Sequence, residues 1–147
     1  MRTEPLSSTN SRAVCVYAVD DNEDLTELYI TLLVGAGYSV RAFNDRFEAI
    51  ASLEMETNKP LLLITDYRGH SMAVDYFIHR CLALHPTLRV LMASGLHHEE
   101  MDSSFLGVDR CLQKPFTPTE LLHEVREALN ARELGRNALG EWIAHAK

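Results

Sequence analysis

Basic residues are in short supply: 14 Lys and Arg stand against 21 Asp and Glu in 147 residues, a formal net charge of -7. That balance opposes non-specific attraction to nucleic-acid phosphates or anionic lipid, so no direct nucleic-acid partner is expected. Long apolar runs are missing as well. No stretch reaches the roughly 18 residues that a membrane span needs, and the polar segment Met1–Arg12 lacks the apolar centre of a secretion signal. A disordered leader over 1–12 and a cytoplasmic protein without a membrane partner are the expectations. Cysteine is sparse: Cys15, Cys81 and Cys111 form no C-x-x-C pair. An odd, scattered set suggests neither a disulfide framework nor a zinc knuckle, and core packing is the ordinary use of such thiols. A Gly-rich Lys-Ser/Thr loop is absent, which leaves ATP hydrolysis without a visible site.

What is present is apolar sequence in short, repeated pieces. At 46% hydrophobic, the chain suits one domain around one core. Ala13 to Val19 reads as a strand buried on both faces. It ends at Asp20-Asp21-Asn22, after which Leu25, Leu28, Tyr29, Leu32, Leu33 and Ala36 recur at helical spacing up to Gly37. Tyr38 to Phe43 predicts a second strand, and Phe47, Ile50, Ala51 and Leu53 a second helix. Leu61 to Thr65 is the most apolar strand and stops at Asp66; Met72 to Leu84 reads as the next helix. Arg89 to Ala93 leads to Ser94-Gly95, followed by a weak polar helix around 98–105. Arg110 to Gln113 runs into Lys114-Pro115, and Thr117-Pro118-Thr119-Glu120 has the form of a capping box opening the last core helix. Five strands alternating with five helices over 13–130 predict an α/β fold with a doubly wound, five-stranded parallel sheet.

In such sheets ligands bind beyond the carboxyl ends of the strands. The residues expected there are Asp20, Asp21, Asp66, Ser94 and Lys114. Three carboxylates brought together call for a cation, and hard oxygen donors with open positions suit Mg2+. A hydroxyl and an ammonium beside that ion suit phosphoryl oxygens, with one carboxylate as nucleophile. The bland readings stand beside these. Asp20-Asp21-Asn22 can simply cap a helix, Ser94-Gly95 can be turn chemistry, and Lys114 can be an exposed strand end.

The ordered set Val19-Asp20-Asp21-Asn22, Leu63-Ile64-Thr65-Asp66 with Met72 following, Met92-Ala93-Ser94-Gly95 and Lys114-Pro115-Phe116 resembles the receiver domains of response regulators. It is similar in extent to the single-domain chemotaxis regulators, whose fold is the flavodoxin-like (βα)5 arrangement. The resemblance implies Asp66 as phosphoacceptor. It implies Mg2+ held by Asp20, Asp21, Asp66 and the backbone carbonyl of Arg68, with Ser94 and Lys114 on the phosphoryl group and a cis peptide at Pro115. It also implies a sensor histidine kinase or histidine phosphotransfer protein as donor, a downstream protein target, and a signalling domain rather than an enzyme.

The sequence departs from that pattern in places. Cys111 occupies the switch position where tyrosine or phenylalanine is usual, Gly69-His70 replaces a Met-Pro pair, and Val74 stands where glycine is common. These departures motivate an alternative, a pseudo-receiver that binds partners without phosphate. A phosphatase resembling haloacid dehalogenases would need an acid two positions after Asp66, where Arg68 stands. His97-His98-Glu99-Glu100 reads as a solvated surface rather than a metal site, and His70 as a loop histidine beside Asp66. Leu134, Ala138, Leu139, Trp142 and Ile143 continue at helical spacing, so 131–147 is expected to be a helical extension that packs, dimerises with a second copy or receives a partner. It is too short for an output domain, which points to a stand-alone receiver.

Overall fold

The structure is a computed structural model that describes residues 13–68, 71–95 and 107–131. The expected leader 1–12, the Gly69-His70 pair, the helix at 98–105 and the tail from 132 onward lie outside the described residues. The elements are β1 (Cys15–Val19), α1 (Glu23–Gly35), β2 (Ser39–Phe43), α2 (Arg46–Met55), β3 (Leu62–Asp66), α3 (Val74–Leu84), β4 (Arg89–Ser94), β5 (Arg110–Gln113) and α4 (Pro118–Asn130). All strand pairs are parallel, in the order β2-β1-β3-β4-β5. Direction of winding therefore changes between β1 and β3, where a crevice opens at the strand ends.

Alternation along the strands splits the core in two. Tyr17, Val19, Leu63, Val90 and Met92 pack with Ala49, Ile50 and Leu53 of α2 and with Phe77, Ile78 and Cys81 of α3. Val16, Ala18, Leu62, Ile64, Leu91 and Ala93 pack with Tyr29 and Leu33 of α1 and with Leu121, Val125 and Ala128 of α4. Burial on both faces explains why β1 and β3 read as unbroken apolar runs.

The helix ends follow local chemistry. Asn22, not either aspartate, caps α1, accepting from the amides of Asp24 and Leu25. At the other end Gly37 takes φ +100. Its amide donates to the Val34 carbonyl while the Tyr38 amide donates to that of Leu33, a Schellman termination that needs a left-handed residue. The Thr117–Glu120 capping box is formed, with proline at the start of α4.

Several expected inward positions move. Leu28 and Phe47 are exposed, because the buried stripe of α1 runs through Thr26, Tyr29 and Leu33 and that of α2 through Arg46, Ala49, Ile50 and Leu53. In α2 an arginine takes the inward place that the sequence assigns to phenylalanine. Helix α3 begins at Val74 rather than Met72, whose carbonyl is held by Arg46.

Candidate functional site

Parallel register delivers the expected residues to one edge. Val19 lies beside Thr65, Asp66 beside Ala93, and Ser94 beside Gln113. Asp20, Asp66, Ser94 and Lys114 are therefore neighbours across four strands although they span 94 positions of chain. Together with Asp21, Tyr67 and Arg68 they line a cavity of about 310 Å³. Asp20, Asp66 and Ser94 are buried, while Asp21 is exposed at the rim.

Each carboxylate is anchored differently. The Oδ1 atom of Asp20 accepts from the Asn22 amide at 2.9 Å, and its Oδ2 receives Lys114 Nζ at 2.7 Å. Its backbone carbonyl accepts from Asn44 Nδ2, which also donates to Thr26 Oγ1, so the turn after β1 is fixed by the residue that follows β2. Lys114 in turn is set by the Ser94 carbonyl, which accepts the Lys114 amide at 2.7 Å. The Lys114–Pro115 peptide is cis. Phe116 then stacks on Tyr29, with ring centroids 5.9 Å apart.

One carboxylate oxygen from each of Asp20, Asp21 and Asp66 lies within 4.8 Å of the others. Six oxygens around Mg2+ at about 2.1 Å sit roughly 3 to 4.2 Å apart, so small side-chain adjustments bring this donor set to octahedral spacing. The donors are all oxygen, and the chemistry fits a hard divalent cation.

Sequence reasoning missed a residue that holds the expected acceptor directly. Arg46 is 1% exposed, and its Nη2 donates to Asp66 Oδ1 at 2.9 Å and to the Asp66 carbonyl at 2.7 Å. Its Nη1 donates to the Met72 carbonyl at 2.7 Å, and its guanidinium lies 5.4 Å from the centre of the Phe77 ring. Burial pulls the Arg46 pKa down, and the charge and hydrogen bonds of Asp66 oppose that shift. The only hint in the sequence is a cation in the first turn of a helix, where the macrodipole disfavours it.

The fold and the sequence have counterparts among known proteins. No family model matches the chain. The transcriptional regulatory protein GltR of Pseudomonas aeruginosa is 29% identical over 140 residues, covering 93% of this chain and 57% of that one. The regulatory protein VanRc of Enterococcus gallinarum is 30% identical over 117 residues, covering 78% and 49%. A response regulator receiver protein from Sinorhizobium medicae matches with TM-score 0.72 at 28% identity, over 84% of this chain and 99% of that one. The chain is a response-regulator receiver domain. A CheY-like receiver domain protein from Methanospirillum hungatei shares the fold, with TM-score 0.74 at 24% identity over 82% and 97% of the two chains. The receiver spans about half the length of the curated relatives it matches.

Receiver domains are signalling modules of two-component systems, not enzymes in the usual sense. The departures noted in the sequence have mixed placement. Cys111 is half-buried in β5 and packs against the cluster shared by α2 and α3, while Val74 starts α3. Among the described residues no helix is long and apolar enough to cross a membrane.

Proposed function

We propose that this receiver accepts a phosphoryl group on Asp66 from a phosphohistidine of a sensor kinase or phosphotransfer protein in the cytoplasm, and signals by contact with other proteins. The observation that carries the reading is the convergence of Asp20, Asp21 and Asp66 with Lys114 and Ser94 in one cavity. Asp20, Asp21, Asp66 and the Arg68 carbonyl would hold Mg2+. When bound, the ion supplies charge neutralisation between the acceptor carboxylate and the phosphoryl oxygens. An Asp66 oxygen forms the new O–P bond while the P–N bond of the donor breaks, its electron pair returning to the imidazole. Lys114 leaves Asp20 to pair with the phosphoryl group, and the Ser94 hydroxyl donates to it. The added negative charge favours one of two packings near β5 and α4.

On this reading the receiver occupies 13–130, and 131–147 is an extension of it that packs, pairs with a second copy or receives a partner. Intact mass after incubation with acetyl phosphate and MgCl2 tests the chemistry. One phosphoryl adduct, lost without Mg2+ and in Asp66→Asn, supports it; no adduct from acetyl phosphate or from histidine-phosphate donors overturns it. One observation favours the pseudo-receiver instead: Asp66 already has a buried cationic partner in Arg46. An unmodified chain that binds its partners equally well with and without phosphodonor would support that second reading.

A further inference from the structure

We propose that Arg46 is a positioning residue of the phosphoacceptor site, a resident cation that holds Asp66 and the turn after it in place and weakens the affinity of the site for Mg2+. The inference rests on the phosphoryl-transfer reading of Asp66. Its basis is the double anchorage of one guanidinium. Nη2 holds the carbonyl and carboxylate of Asp66 at the end of β3, and Nη1 holds the carbonyl of Met72 just before α3. Arg46 thus ties both ends of the connection that carries Tyr67 and Arg68, and with them the cavity wall and the expected carbonyl ligand.

Electrostatics at the helix start give no reason for this arginine. A cation in the first turn opposes the helix dipole, the buried guanidinium costs desolvation, and its Nε finds no partner among the described residues. What it gains is Asp66. The pair is buried on both sides, at 1% and 5% side-chain exposure, so neither water nor salt screens it well.

The charge count then sets the direction of the effect. Asp20, Asp21 and Asp66 bring three negative charges; Lys114 and Arg46 pair with two of these carboxylates, and Arg68 stands at the cavity wall with its guanidinium over the Tyr67 ring. Lys114 is 29% exposed at its side chain and can swing away; Arg46 is enclosed by Asp66, Met72 and Phe77 and stays. A divalent ion bound to Asp66 therefore meets a fixed positive charge on the same carboxylate. Even screened as in bulk water, a unit charge about 5 Å from a divalent ion is worth about tenfold in an equilibrium constant, so tenfold is the lower bound of the effect.

The experiment titrates the unphosphorylated full chain with MgCl2, following backbone amide shifts of Asp21, Tyr67 and Gly95, in the natural protein and in Arg46→Met, Arg46→Gln and Arg46→Lys. The proposal expects the Mg2+ dissociation constant to fall by about tenfold or more in the Met and Gln variants and to be unchanged in the Lys variant. At saturating Mg2+, phosphorylation by acetyl phosphate is expected to slow in the Met variant and to recover partly with lysine. A merely structural role would damage the site and weaken Mg2+ binding. Equal or weaker binding in whichever uncharged variants retain the native amide spectrum overturns the proposal. The Mg2+ titration does not use the phosphodonor. A natural chain that takes no phosphoryl group while the uncharged variants bind Mg2+ more tightly would sink the phosphoacceptor reading and leave the electrostatic role of Arg46 standing.

Discussion

Arg46 Nη2 and Asp66 Oδ1 lie 2.9 Å apart with both side chains buried, whereas Arg41 and Glu56 make the same 2.9 Å contact with both side chains over 40% exposed. Distance alone does not distinguish the two pairs; burial does. Removing one member of a buried pair strands the other, at a cost of about 3 to 5 kcal/mol, while an exposed pair contributes about 1 kcal/mol or less. Arg46→Ala is expected to lower the urea midpoint far more than Arg41→Ala, and Asp66→Asn to destabilise as well. Equal midpoints for the two arginine variants would contradict the account.

Tyr29 carries a buried hydroxyl with no hydrogen-bond partner among the described residues, and burial pushes its pKa up, with Asp20 and Asp66 adding to the shift. Tyr29→Phe keeps the stack on Phe116 and removes an unsatisfied polar atom. Stability is expected to rise by about 1 kcal/mol. A loss of that size in chemical denaturation would show that the hydroxyl is bonded in solution.

Thr117 accepts from the Glu120 amide at 3.1 Å while Glu120 Oε1 accepts from the Thr117 amide at 2.8 Å. Thr117→Ala opens this capping box and should cost about 1 kcal/mol, with the frayed first turn of α4 visible as faster amide exchange at Glu120. An unchanged unfolding midpoint would mean that Pro118 alone starts the helix.

His85 Nε2 lies 2.8 Å from the Pro60 carbonyl, and burial lowers its pKa below 6.5. The fold favours neutral imidazole, so below pH 6.5 the unfolded chain takes up the extra proton first. This contribution to stability is whole above that pH and is lost as pH falls through the lowered folded-state value. His85→Gln retains a donor for Pro60 and does not titrate. Its urea midpoint should fall less than that of the natural chain between about pH 7.5 and about pH 5.5; an equal fall would place the acid sensitivity elsewhere.

The sheet was legible because β1 and β3 are buried on both faces and their apolar runs end on acids. Asp20, Asp66, Ser94 and Lys114 were legible for the same reason: each ends or directly follows a strand whose parallel register fixes its place. The capping box of α4 could be read directly from Thr117 and Glu120. Helix faces were harder. Leu28 and Phe47 fit a helical period and yet point outward, since the period alone does not say which stripe meets the sheet. Arg46 was barely legible, its one sequence signal being a cation in the first turn of a helix. A basic residue beside Asp45 at a helix start reads as solvated, and only the fold brings Asp66 and Met72 to either side of it.

The central claim is that Asp66 takes the phosphoryl group. Borohydride reduction converts an acyl phosphate to an alcohol, so a modified aspartate becomes homoserine and can be located by peptide mass after treatment with acetyl phosphate and MgCl2. The account predicts homoserine at position 66 alone. Homoserine at Asp20 or Asp21, or at no position in a chain that has gained a phosphoryl mass, would contradict it.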